Sequence, residues 1–414
     1  MMENLNFFIF TSSFILSACM SVYSLFYSKF SFIFWISISF YCGYFAASSI
    51  FKENILGNVD WYLDEILSRS TDPSLFILAT IICGSVANFF INQFSFFRKK
   101  SSSNETENSQ WFERKVSLVF YLFIVIAIFS LYFLLSNEWT YDSFVRGEFN
   151  GPGITLALMS SGAIMIPNLV DVGPRKKAIC YAIGFAPALS YSVETGVRLF
   201  AAVPCATLLL TLIENNRRRN VREYVAGIVV SATIFLFFAA QLLSSRTKTY
   251  SFGDSSVPAA YITFFDSFDS HLVYDSSLYR FTLGLVSYPL ARITGFTPVT
   301  TEPANTISVW VGRGYQDNFA HFPGTFFLDI WASSGFYGFL NIVSFLFLFA
   351  ILYKIANFKK LLSLFILPSV FTCQYLIARG ALFSAGATFS ATIFWGFIFY
   401  LIINVAGYLM HKRN

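Results

Sequence analysis

The sequence predicts an all-α, polytopic transmembrane helical bundle of about eleven spans, ten to twelve as segments are merged or split, with one large loop on the outer side. Three observations predict it. Of 414 residues, 56% are hydrophobic and only 12% charged, whereas globular chains carry roughly 25% charged residues. That leaves too little polar material to surface a soluble chain of this length. The apolar residues gather in runs of bilayer length, and the basic residues gather in alternate linkers. The same composition excludes disordered, collagenous and coiled-coil chains.

A helix crosses a bilayer with about 20 apolar residues. Such runs cover 5–27, 30–50, 73–97, 116–136, 152–170, 178–194, 197–213, 224–243, 325–353, 361–378 and 384–409. The first is not read as a cleavable signal peptide, because no basic stretch precedes it and a second run follows almost at once.

Lys and Arg accumulate in loops that stay in the cytoplasm. Lys29, then Arg98, Lys99, Lys100, Arg114 and Lys115, then Arg175, Lys176 and Lys177, then Arg217, Arg218, Arg219 and Arg222, then Lys354, Lys359 and Lys360, and finally Lys412 and Arg413 hold most of the 28 basic residues. The opposite linkers are longer and poorer in cations, and 51–72 carries Asp60, Asp64, Glu65 and Asp72. The expected N-terminus is therefore outside and the C-terminus cytoplasmic. The net charge of +5 is a topology signal rather than a sign of nucleic acid. The Arg217–Arg219 run reads as a cytoplasmic anchor, and the Ser/Asn/Glu-rich stretch 101–110 as a solvated linker.

The spans divide the chain into 1–243, with about eight of them, a loop over 244–324, and 325–414, with about three. A structureless loop of roughly 80 residues is uncommon, and long loops are often functional. Its middle, LYRFTLGLVSYPLARITGF (278–296), suits a helix lying on or dipping into the outer leaflet, kinked or ended by Pro289. The loop holds His271 and His321. Asp266 and Asp269 of F-D-S-F-D-S read as a solvated turn, since no third ligand has metal spacing. Cys19, Cys42, Cys83, Cys180, Cys205 and Cys373 sit in or beside apolar runs without a C-x-x-C and read as packed thiols. No metal site is expected.

Arginine carries the sharper signal, because its planar fork matches phosphate and pyrophosphate and keeps its charge. Arg198 opens an outward-facing span in VETGVRLFAAV, with Glu194 one helical turn away as a candidate partner. Arg379 begins the last span in the same manner. An arginine at such a position either snorkels to the interface or binds an anion. The spans read as almost free of carboxylates, which disfavours a cation- or proton-coupled carrier.

Three segments carry a family resemblance. They are T-G-V-R-L-F-A-A (195–202), the outer loop with Arg280 before its apolar stretch, and VGRGYQDNFAHFPGTFFLDIWASSGFYGFL (311–340), with a Gly-rich turn, a His and then an amphipathic run into Gly335 and Gly338. Over about residues 190–353 the chain resembles the Wzy-type polysaccharide polymerases and the related O-antigen ligases. The H-N dipeptide of the ligases is absent, since Phe322 and Pro323 follow His321. H-x-P-G-x-F-F-x-D (321–329) looks more like the polymerase branch.

The resemblance implies a metal-independent glycosyltransferase in a bacterial cell inner membrane, with the large loop periplasmic. Its substrate would be an undecaprenyl-pyrophosphate-linked oligosaccharide, its surroundings membrane lipid, and its partners a chain-length regulator and a flippase of the same pathway. It needs no cofactor. Arg198, Arg280 and His321 are the implied catalytic residues, and Arg313, Arg292, Glu194, Asp317 and Tyr315 the implied substrate-binding ones. The general base stays open among Glu194, Asp317 and Glu302. The alternatives are the ligase, which passes glycan to lipid A–core, and a lipid-linked oligosaccharide flippase.

Overall fold

In a bilayer every backbone N–H and C=O must be satisfied within the chain, so long apolar runs fold as helices. In the computed structural model the residues described are 2–50, 67–94, 109–137, 152–170, 172–195, 199–215, 256–270, 276–294, 325–357 and 359–413. They form helices joined by short turns, and no strand occurs among them. In chain order the helices are α1 (Met2–Phe26), α2 (Phe32–Ile50), α3 (Asp72–Gln93), α4 (Ser109–Leu135), α5 (Gly153–Ser160), α6 (Ile166–Leu169), α7 (Pro174–Thr195), α8 (Leu199–Asn215), α9 (Ser256–Ser270), α10 (Ser277–Thr294), α11 (Phe326–Ser334), α12 (Asn341–Ala356), α13 (Lys360–Ala378) and α14 (Leu382–Arg413).

Among the described residues, six helical runs are long and apolar enough to cross a membrane: Leu5–Phe26, Asp72–Gln93, Phe112–Leu135, Phe326–Ala356, Lys360–Ala378 and Leu382–Leu409. Shorter apolar helices cover Lys29–Gly43, Gly153–Leu169 and Leu199–Leu212. The expected span 224–243 lies outside the described residues. The expected span 178–194 is helical within α7, yet it does not join the six; Tyr181, Pro187, Ser190, Ser192 and Glu194 dilute its apolar run. The expected span 152–170 is broken, with a 3₁₀ stretch over Ser161–Met165 between α5 and α6.

Contacts gather the chain into two compact units, each built from separate stretches of the sequence. The first collects Met1–Phe97, Thr247–Leu352 and Cys373–Ala387. Here α1 and α2 are joined by a turn whose polar groups are answered from two other helices. The Ser31 hydroxyl donates to Asn88 Oδ1 at 2.7 Å, and Asn88 Nδ2 donates to Ser28 Oγ at 2.8 Å. Gln374 Nε2 donates to the Phe30 carbonyl at 2.6 Å, while its Oε1 accepts the Phe34 N–H at 3.2 Å. That amide fills one of the vacant donors that every helix start leaves.

The first helix of the large loop, α9, is a core element of this unit. Tyr261, Phe264 and Phe265 are enclosed, with Phe10 edge-on to Tyr261 at 5.6 Å and stacked on Phe265 at 6.5 Å. Phe268 lies flat on Trp331 at 3.7 Å, and Trp331 Nε1 donates to the Ser267 carbonyl at 3.2 Å. Asp266, read as part of a solvated turn, pairs with Arg69 at 2.6 Å.

The run 325–353, read as one straight span, is folded back on itself. Phe326 and Phe345 have ring centroids 5.6 Å apart, whereas 19 residues of one straight helix would separate them by about 28 Å. The cause is the sequence GFYGFL. Gly335 adopts φ 54°, a conformation that glycine reaches without steric cost. Gly338 sits so close to the Ile330 carbonyl that a Cβ would overlap it. α11, at 9 residues, therefore reaches only about 13 Å before the turn.

The second unit collects Arg98–Arg246, Tyr353–Thr372 and Thr388–Asn414. Ile164, Leu208 and Leu212 form a buried cluster with Tyr181 and Phe185 against it. Phe123 stacks on Phe365 at 5.1 Å. Tyr191 donates to the Ser130 carbonyl at 3.2 Å, and Asn168 Nδ2 to the Thr211 carbonyl at 2.9 Å.

Candidate functional site

Ionisable side chains inside a membrane bundle are costly and mark function more often than other residues do. In the first unit, Arg280 of α10 and Asp329 of α11 meet, each about 1% exposed. Local sequence puts them there. α10 begins at Ser277, which places Arg280 in its first turn. α11 is started by Thr325, whose hydroxyl accepts the Leu328 N–H at 3.1 Å, and this N-cap leaves Asp329 in the first turn as well.

Arg280 Nη1 donates to Asp329 Oδ1 at 2.7 Å, and Nη2 to Ser333 Oγ at 3.3 Å. Ser333 donates to the Asp329 carbonyl at 2.6 Å, Ser277 donates to the same carbonyl at 3.1 Å, and the two hydroxyls are 2.6 Å apart. Asp329 Oδ2 is buried and, among the described residues, has no hydrogen-bond partner. It faces the turn between α13 and α14, where Gly380 holds φ 77°. The N–H groups of Gly380 and Ala381 close the end of α13 on Ile377 and Leu376 carbonyls at 2.9 Å each. A Cβ on Gly380 would stand 2.7 Å from the Thr325 carbonyl and 3.0 Å from Asp329 Oδ2. Arg379, one residue earlier, is half-buried.

α10 is also held, one turn beyond Arg280, by glycine contacts. Gly284 abuts the Phe383 carbonyl and Gly386 the Phe281 carbonyl, each too close for a Cβ. Small residues of this kind let helix backbones approach in membranes. The helix also runs through Pro289 to Thr294, so the proline neither ends it nor coincides with its boundary.

Of the residues singled out from the sequence, Arg280 is enclosed and paired. Glu194 lies exposed near the end of α7 in the second unit. Arg292 falls within α10, with its side chain outside the description. Arg198, His321, Arg313, Asp317 and Tyr315 lie outside the described residues, as do Glu302 and His271. Asp329, Ser277 and Ser333 were not singled out. The spans read as almost free of carboxylates, and Asp329, in the apolar run FFLDIW, is one that is enclosed. A carboxylate in such a run demands a cation, and that signal was present in the sequence. Among the described residues no three His, Cys, Asp or Glu side chains gather as a metal site.

Comparison with known protein families, with curated proteins and with solved structures finds no match to this chain.

Proposed function

We propose that the chain is a polysaccharide polymerase of the Wzy type, joining lipid-linked oligosaccharide repeat units at the outer face of a bacterial inner membrane. One observation supports this reading beyond the sequence resemblance. Arg280, from the loop, and Asp329, which closes H-x-P-G-x-F-F-x-D, belong to two of the three segments that carry the resemblance, and they are in contact at 2.7 Å. Residues 295–324, with Arg313, Tyr315, Asp317 and His321, are the chain between the two helices that this pair joins.

In the proposed reaction the terminal hydroxyl of one lipid-linked unit attacks the anomeric carbon of the growing chain. The new glycosidic bond forms as the bond to undecaprenyl pyrophosphate breaks. The hydroxyl proton passes to a carboxylate, and the departing pyrophosphate carries the developing charge. Fixed cations stabilise such a developing charge, and Arg198, Arg313 and His321 are each proposed as candidates for that role. A chain-length regulator and a flippase are the proposed partners.

A second reading is favoured by the buried Asp329. Carboxylates within membrane bundles also serve transporters, and a lipid-linked oligosaccharide flippase would fit the same surroundings. A deletion strain separates the readings. Loss of a polymerase leaves lipopolysaccharide capped with a single repeat unit. Loss of the ligase leaves bare core with polymer accumulating on its lipid carrier, and loss of a flippase leaves bare core with no polymer. Either of the last two phenotypes overturns the polymerase reading.

A further inference from the structure

Arg280 carries a charge that the proposed chemistry could use, yet every described feature around it points inward. Its guanidinium is about 1% exposed, one nitrogen is taken by Asp329 and another by Ser333. The helix that bears it is also fixed one turn further along by the Gly284 and Gly386 contacts. A cation that met a lipid pyrophosphate from this position would have to leave a buried carboxylate behind, unpaired. The opposing carboxylate has the same character, since its second oxygen is turned to the Gly380 backbone. We propose that Arg280 and Asp329 are a positioning pair that docks the outer loop onto the re-entrant helix α11, and that neither touches substrate. Ser277 and Ser333 complete the dock by tying both helices to one carbonyl. The pair thereby sets the two attachment points of residues 295–324, to which the proposed chemistry is assigned. This assignment of roles rests on the proposed function; the docking itself does not.

The test uses the physics of buried ion pairs. Removing one partner strands a buried charge, whereas replacing both with apolar residues of similar volume is often neutral. Arg280→Met, Asp329→Leu and the double variant are expressed as full chains in the deletion strain, and polymer is measured per molecule of membrane-inserted protein. Each single variant should lose roughly tenfold or more of both inserted protein and long-chain polymer per molecule. The double variant should return both to within about threefold of the parent chain. A double variant that inserts normally but makes no more polymer than Arg280→Met would overturn the proposal, because the guanidinium would then act on substrate. A double variant that fails to insert would overturn it equally, since the pair would then be required as charges.

A second measurement does not depend on activity. Ser277→Cys/Ser333→Cys, with each single cysteine as control, is oxidised in isolated membranes. The 2.6 Å separation of the two hydroxyls leads to an internal disulfide, and polymer formation should persist in the cross-linked chain. Absence of the disulfide overturns the dock. A disulfide that stops polymer reversibly overturns its permanence. If the strain shows no polymerase phenotype, inserted-protein levels and cross-linking still judge the dock, so the two proposals fail separately.

Discussion

Phe326 and Phe345, 19 positions apart in the chain, pack edge to face with their ring centroids 5.6 Å apart. Phe34 touches Phe326 at 5.2 Å and Phe349 at 5.4 Å, so one aromatic of α2 bridges both arms of the reversal. The hydropathy of 326–356 is that of one long span, but its geometry is that of a short helix followed by a longer one. Asp329 thereby lies in the interior of the first unit with a cation beside it.

The reversal depends on the absence of a side chain at Gly338. Gly338→Ala puts a methyl group into the Ile330 carbonyl, and backbone atoms cannot yield as a flexible side chain can. Overpacking of this kind costs about 1–3 kcal/mol. The apparent unfolding temperature of the detergent-extracted chain should fall, together with its level in the membrane. An unchanged melting curve would contradict the tight approach of the turn to α11.

Gly380 should be similarly intolerant for a different reason. Its φ of 77° costs an L-residue roughly 1–2 kcal/mol, and a Cβ would stand 2.7 Å from the Thr325 carbonyl. Gly380→Ala is therefore expected to lower the unfolding midpoint. Gly173→Ala is the control, because a Cβ there meets nothing within 4 Å. Equal effects at the two positions would rule out the positive-φ turn as the source.

Much of the helical architecture was legible because apolar runs and basic linkers act locally. Helices long and apolar enough to span, Leu5–Phe26, Asp72–Gln93, Phe112–Leu135, Lys360–Ala378 and Leu382–Leu409, lie on the runs read at 5–27, 73–97, 116–136, 361–378 and 384–409. The fold-back at Gly335 was not legible, because FFLDIWASSGFYGFLNIV keeps the composition of a span while two glycines change its path. The burial of α9 was also missed. VPAAYITFFDSF is apolar, but its F-D-S-F-D-S reads as a solvated turn, and only packing against Phe10 and Trp331 reveals the segment as core. At the candidate site, Arg280 was singled out for chemistry, and the structure shows it enclosed and paired. Asp329 was not singled out, since its partner lies 49 residues away and such pairing is tertiary. The remaining residues singled out for chemistry, apart from Glu194 and the backbone of Arg292, lie outside the described structure.

Gln374 is expected to matter more than its neutral side chain suggests. It donates to the Phe30 carbonyl and accepts the Phe34 N–H. Gln374→Leu preserves volume but strands both backbone groups in a buried position, at about 1–3 kcal/mol each. Gln374→Glu keeps the acceptor but sets a carboxylate against a carbonyl oxygen, so it should not rescue. Thermal unfolding of both variants in detergent measures this, and retention of the parent midpoint by Gln374→Leu would show that water or another group replaces the amide.

Arg198 provides the sharpest functional prediction under the proposed polymerase reading. In the deletion strain, Arg198→Ala should abolish long chains while inserted protein stays at the parent level. Loss of one fixed donor at a developing negative charge typically costs 10²–10³-fold in rate, or about 2.7–4 kcal/mol. Arg198→Lys keeps the charge and loses the planar fork, so its chains should be intermediate in amount. If Arg198 merely snorkelled at the interface, Lys would serve as well as Arg and Ala would act mainly through insertion. The ratio of polymer to inserted protein across the three chains therefore decides between a phosphate-binding arginine and an interfacial anchor.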